Sequence, residues 1–223
     1  MPPTRLSPET IATRVRVKKP NKTAQHILKV ATQMFAEKGF DGTIMDELCE
    51  RSGVNKASIY YHFGDKATLY DTALTDLFKR VADPILSAVA QRETPQQKLH
   101  TFIDMFARTA SHTPAMPAVL MRELASGGIH MPVSAREQMQ RLLFALKVIL
   151  KSGYEQNLFK RTDPLTIQFM VIGTLCFFIS SEPMRLAIPS QAKLDPNLDE
   201  TIAELIRIIE SALLLSPSTY NQT

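Results

Sequence analysis

The sequence predicts an all-α fold: an N-terminal three-helix helix-turn-helix domain and a helical C-terminal domain, about nine helices in all. Three observations lead there. Apolar residues recur at helical spacing in nearly every segment. No stretch joins two-residue alternation to the turn dipeptides that mark hairpins. Prolines and glycines fall between the periodic runs and punctuate them.

Residues 1–22 contain Pro2, Pro3, Pro8 and Pro20 with few large apolar groups, and read as a basic flexible arm. From Thr23 to Lys38, the residues Ala24, Ile27, Leu28, Ala31, Met34 and Phe35 make one apolar stripe, stopped by Gly39. Thr43 stands before a helix over Ile44–Arg51, and with Asp46 three residues on it makes a weak capping box. Ser52-Gly53-Val54 breaks that helix, Asn55 can cap the next one, and Gly64-Asp65 ends it after Phe63. A longer helix from Lys66 carries Leu69, Ala73, Leu74, Leu77 and Phe78, and Pro84 is expected to kink or split it. Further helices are expected near Pro95–Ser111, Ala115–Ser126, Ser134–Gln156, Pro164–Ser181 and Leu198–Leu215. The last has Leu198, Ile202, Leu205, Ile206, Ile209 and Leu213 on one face. Pro164–Ser181 is apolar almost all round and needs cover on every side, for which a second subunit is the expected source.

Composition narrows the function classes. A chain of 223 residues, 44% of them hydrophobic, can bury one sizeable core or two small ones. The formal net charge is +4, which permits a polyanionic partner without requiring one. Its distribution is more telling, because residues 1–22 carry a net +5 and the remainder a net −1. Cys49 and Cys176 form no metal spacing and fit a reducing compartment. The basic start leads into polar Lys22-Thr23-Ala24-Gln25 rather than the apolar run of a signal peptide. The longest strongly apolar window, Phe169–Ile179, has 11 residues where a membrane span needs about 20, so a cytoplasmic protein without a membrane partner is expected.

Two short helices joined by a glycine-containing turn form a helix-turn-helix, whose second helix enters the DNA major groove. On that helix Ile59 and Phe63 share a face that can pack on Leu48 and Phe35. Ala57 and Tyr61 point the opposite way, with Ser58 and Tyr60 beside them and Lys56 and His62 on the flanks. Small and hydrogen-bonding groups without carboxylates suit base edges and phosphates. An amphipathic helix exposes a polar face in any case, but two adjacent outward tyrosines next to a +5 arm are more than solvation requires.

The run ATQMFAEKGFDGTIMDELCERSGVNKASIYYHFGDKATLYDTAL, Ala31 to Leu74, resembles the DNA-binding domain of the tetracycline-repressor (TetR) family. The matching pieces are Phe-Ala-Glu-Lys-Gly-Phe, Thr43, Ser52-Gly53-Val54, Ile59-Tyr60-Tyr61-His62-Phe63, and Lys66 before Leu69. Ile44, where the family often has Ser or Thr, and Cys49, where Ala is common, are mild departures. The resemblance implies that Thr43 contacts phosphate. It places Asn55, Lys56, Ala57 and Ser58, with Tyr60, Tyr61 and His62, at or in the groove, and makes Lys66 a phosphate anchor. It implies an arm over 1–22, a DNA-binding domain over 23–82 with the motif at 44–63, and a ligand-binding and dimerisation domain over 83–217. Dimerisation would run through residues 164–181 and 198–215.

For a small, largely apolar effector, the candidate pocket walls are Phe102, Met105, Phe106, Met116, Leu120, Met121, Phe144, Tyr154 and Phe177, although such residues are more often plain core. The implied function is a repressor, released from a palindromic operator by that effector. An enzyme is the competing class. His26, His62, His100, His112 and His130 share no metal-ligand spacing, and neither a phosphate loop nor a nucleophile signature is present, so no cofactor or metal is expected. A third reading is a sensor based on Cys49 or Cys176, for which inert packing is the simpler alternative.

Overall fold

A computed structural model describes residues 22–187, 189 and 193–215; residues 1–21 of the arm expected over 1–22, and residues 188, 190–192 and 216–217 of the expected C-terminal domain, lie outside the described residues. Among the described residues the chain forms nine helices. They are α1 (Lys22–Gly42), α2 (Met45–Ser52), α3 (Lys56–Phe63), α4 (Lys66–Ala90), α5 (Pro95–His112), α6 (Ala115–Ala125), α7 (Val133–Glu155), α8 (Pro164–Leu186) and α9 (Leu198–Leu213).

The first three helices form a small head closed by the start of α4. The apolar stripe of α1 is buried as its spacing requires, and Gly39 breaks the helix with φ 71°, a left-handed value that favours glycine. α4 passes from the head into the body, and one continuous core runs from Ile27 on α1 to Leu213 on α9. The expected boundary at residues 82–83 therefore falls inside a helix rather than in a linker. Pro84 does not split α4. Val81, Ala82, Ile85 and Val89 are buried on either side of it, and their packing against α5 and α7 outweighs one missing backbone donor.

α5 opens with a complete capping box, Thr94 with Gln97, and α9 with another, Asn197 with Glu200. α8 is longer than its sequence pattern predicts, running through Pro183 and containing one π-helical turn at Phe169–Gly173. Its 23 residues include an 18-residue window of mean hydropathy 1.6, long and apolar enough by composition to cross a membrane, which corrects the shorter window read from sequence. In the fold it is a core helix on α5, α6 and α7, with Val171, Leu175 and Cys176 buried. One face of it remains uncovered: Leu165, Phe169, Phe177 and Met184 are exposed. α9 is different. Ile202, Leu205, Ile209 and Leu213 are buried within their own chain, where α9 packs on α5, so the apolar stripe expected to meet a partner is already used.

Candidate nucleic-acid interface

The turn between α2 and α3 is built from three adjacent devices. Gly53 takes φ 64°, which only glycine adopts without strain. Ser52 folds its hydroxyl back onto the Leu48 carbonyl at 2.6 Å, while its own carbonyl meets Nε2 of His26 on α1 at 2.9 Å. Asn55 then caps α3, accepting the Ser58 N–H at 2.8 Å. Leu48 and Ile59 are buried in the head core with Phe35, and Phe63 is half-buried against it. α3 is thus held by one side only.

The other side faces solvent. Lys56, Ala57, Tyr60 and Tyr61 are exposed, Ser58 and His62 are half-buried, and Tyr61 is 85% exposed. The Lys56 ammonium meets the Asp46 carboxylate at 2.6 Å, which raises its pKa above the usual lysine value. Lys66 starts α4 behind the cap made by Asp65, whose carboxyl is held below its usual range by the Thr68 N–H it accepts at 2.6 Å. Its ammonium lies 4.6 Å from the centre of the Phe40 ring and 3.5 Å from the Asp41 carbonyl. Lys38–Glu47 at 2.7 Å and Arg51–Glu37 at 2.6 Å hold the other nearby charges between α1 and α2. These exposed pairs add little stability. With Lys38 and Arg51 engaged in this way, the lysines left at the outward face are Lys56, itself paired with Asp46, and Lys66.

Thr43 departs from expectation. It is 1% exposed, and its hydroxyl donates to the Gly39 carbonyl at 2.8 Å, so it neither caps α2 nor faces a phosphate in this state. The break at Gly39 frees that carbonyl, and Thr43 satisfies it. Ile44 takes the cap position of α2 without a side-chain hydrogen bond, and Met45 begins the helix. Sequence reasoning also missed the masking of Lys56 by Asp46 and the cradle of Phe40 and Asp41 around Lys66. The aromatic in Phe-Ala-Glu-Lys-Gly-Phe was the only hint of the cradle.

The pocket candidates separate into two groups. Phe102, Phe106, Met116 and Leu120 are buried, and Met105 and Met121 half-buried, but only Phe106, Met116 and Leu120 line an internal cavity, together with Phe78, Leu142 and Ile172 among others. Its volume is about 10 Å³, room for a single water. Phe144, Tyr154 and Phe177 are 68%, 50% and 61% exposed; Phe144 and Phe177 line two separate, wide-open surface grooves of about 860 and 500 Å³ and share no site with Phe106, Met116 and Leu120. Each lies on the outward side of its helix, a side that the periodicity of a mostly apolar helix does not reveal.

Among the described residues no group of three His, Cys, Asp or Glu side chains could hold a metal. Burial pushes the Cys176 thiol up to about 12, and Cys49 is half-buried on α2.

Residues 27–73 match the family described as bacterial regulatory proteins, tetR family, and residues 95–207 match a tetracyclin repressor-like C-terminal domain. The chain is 25% identical over 175 residues to the HTH-type transcriptional repressor NicS of Pseudomonas putida, covering 78% of this chain and 82% of NicS. It is 38% identical over 52 residues to IcaR of Staphylococcus aureus, a negative transcriptional regulator of the biofilm operon, a match spanning 23% of this chain and 28% of IcaR. The fold is similar to that of FadR from Bacillus subtilis, solved in complex with stearoyl-CoA, with TM-score 0.68 at 17% identity over 84% of this chain and 98% of that one. With both halves matched, the second over half its length, the chain belongs to the tetR family of bacterial regulatory proteins, DNA-binding regulators of transcription.

Proposed function

We propose that this protein is a repressor that binds a palindromic operator as a homodimer in the cytoplasm and leaves it when a small, largely apolar effector occupies the body. The observation that carries the DNA-binding part is Tyr61, 85% exposed on a helix whose opposite side is fixed by buried Ile59. An aromatic hydroxyl held outward by a rigid backbone reads base edges, while Lys56 and Lys66 on either side reach phosphates. Asn55, Ala57, Ser58, Tyr60 and His62 complete the surface that enters the groove.

The uncovered stripe on α8 supports a dimer. Leu165 and Phe169 lie one turn apart, Phe177 continues the line two turns on, and a second copy removes these side chains from water. α9 contributes its outer face, including exposed Ile208, rather than the stripe it buries at home. Two heads then enter successive major grooves at roughly 34–36 Å.

The cavity of about 10 Å³ beside Phe106, Met116 and Leu120 is too small for an effector, because ligand sites run to about 300–1,000 Å³, whereas a more open groove of about 520 Å³ lies between α1, α4 and the start of α6. An effector that enters the body beside Phe106, Met116 and Leu120 must open it, and by preferring that open state it shifts the population away from the DNA-binding state. Repression agrees with the names of NicS and IcaR. Duplexes selected from a random pool test the reading: they should share an inverted repeat. Lys66→Ala should lower affinity for all sequences and reduce the salt slope by about one, while Tyr61→Phe should cost about 1–3 kcal/mol at one base position. Enrichment of no duplex at low ionic strength overturns it.

A further inference from the structure

We propose that His130, which lies far outside the helix-turn-helix in sequence, is a positioning residue for DNA binding that acts through Phe40 on Lys66. The inference rests on the reading of Lys66 as a phosphate anchor. His130 sits in the connection between α6 and α7, just beyond Gly127 and Gly128, whose left-handed φ values of 74° and 69° turn the chain back toward the head. Its ring centre lies 4.5 Å from that of Phe40, inclined by 31°, and Nε2 stands 3.1 Å from a carboxylate oxygen of Asp41.

The same two head residues hold Lys66. Its ammonium lies 4.6 Å from the Phe40 ring centre and donates to the Asp41 carbonyl at 3.5 Å. Tyr70, one turn further along α4, meets the Phe40 ring edge-on at 5.0 Å. Phe40 and Asp41 lie in the short last turn of α1, past the break at Gly39, so the long part of α1 does not fix their side chains. Their position is set by what packs against them: Tyr70 and Lys66 from α4, His130 from the body.

A lysine on a four-carbon stem loses much rotamer freedom on binding a phosphate, and a shelf that already holds the ammonium removes part of that cost. His130 completes the shelf by holding the Phe40 ring in place. α6 is itself held to α1: Arg122 donates from Nε to the Ala36 carbonyl at 2.8 Å, and from a second nitrogen to the Glu37 carbonyl. A shift of α6 and its following turn therefore moves His130, and with it the shelf beneath the anchor.

The test measures affinity for a duplex enriched from a random pool, as a function of salt, for the full chain and for His130→Ala, His130→Phe, Lys66→Ala and the double variant His130→Ala/Lys66→Ala. His130→Ala should weaken binding roughly threefold to thirtyfold. His130→Phe keeps the stacked ring, loses the contact to Asp41, and should recover most of the affinity. The double variant should bind no more weakly than Lys66→Ala alone, because the effect of His130 passes through that lysine. Additive losses, or a His130→Ala variant that binds like the parent, overturn the proposal while leaving the anchor in place. An unchanged salt slope in Lys66→Ala overturns the anchor reading itself, and the proposal with it.

Discussion

The hydroxyl of Tyr70 on α4 donates a hydrogen bond to the carboxylate of Glu123 on α6, joining the head's closing helix to the body across 53 residues of sequence. Both side chains are buried, Glu123 at 4% exposure, and its second oxygen has no partner among the described residues. Tyr70→Phe leaves a buried carboxylate without either partner, and should cost about 1–3 kcal/mol of stability in denaturant titrations near neutral pH. Burial and the neighbouring carboxylate raise the Tyr70 pKa above its usual value of 10.0. A raised folded-state pKa contributes stability that is full below the unfolded value and is lost as pH rises beyond it. The gap between parent and variant should therefore be widest near about pH 8 and narrow above about pH 10. A gap that widens with pH contradicts this assignment.

Asp46 restrains Lys56 before any DNA arrives, through the 2.6 Å ion pair at the edge of the outward face. A phosphate competes with that carboxylate for the ammonium, and the carboxylate itself repels the duplex. Asp46→Asn removes both effects and should strengthen binding to all duplexes by about twofold to fivefold at low salt, the gain fading as salt rises. Weaker binding would mean that Asp46 orients Lys56 for its phosphate.

How far the sequence reaches is visible in particular residues. Ile27, Met34, Phe35, Leu48 and Ile59 were legible as core because helical period alone decides which face they occupy. The same rule assigned the stripe of α9 to an interface, although α5 of the same chain covers it; periodicity identifies a buried face and says nothing of what buries it. Thr43 was misread because the pattern of a capping box carries no information about the break at Gly39 that claims its hydroxyl. Asn55, Lys56, Ala57, Ser58, Tyr60, Tyr61 and His62 lie together on the exposed or half-exposed surface of one short helix and its cap, as local spacing predicts. The contact of His130 with Asp41 spans 89 residues and had no local signature.

Cys176 bears on the redox reading. With its pKa pushed up to about 12 by burial in α8, only about one thiol in 10⁵ is ionised near neutral pH, and the sulfur has no path to solvent. Thiol reagents should leave Cys176 unmodified in the folded protein and label it on unfolding, as peptide mapping after alkylation would record. Loss of duplex binding on mild oxidation, restored by a thiol reductant, would instead make a cysteine the sensor.

Gly153, near the end of α7, is packed under the buried ring of Phe159. A Cβ at position 153 would fall 2.0 Å from the Phe159 ring, far inside contact distance. The ring has little room to withdraw. The backbone N–H groups of Leu158 and Phe159 both donate to the Gly153 carbonyl, at 2.8 and 3.1 Å, and Lys160 donates to the Leu213 carbonyl at 2.7 Å, tying the turn to the end of α9. Gly153→Ala must therefore displace the ring, the turn and the α9 terminus together, at about 1–3 kcal/mol for an overpacked core site. For a chain of this size that lowers the melting temperature by roughly 2–12 °C, measurable by calorimetry. Because α9 lies against the body and far along the chain from the head, duplex affinity of the folded variant should stay within about twofold of the parent. An unchanged melting temperature would show that the ring has another place to go.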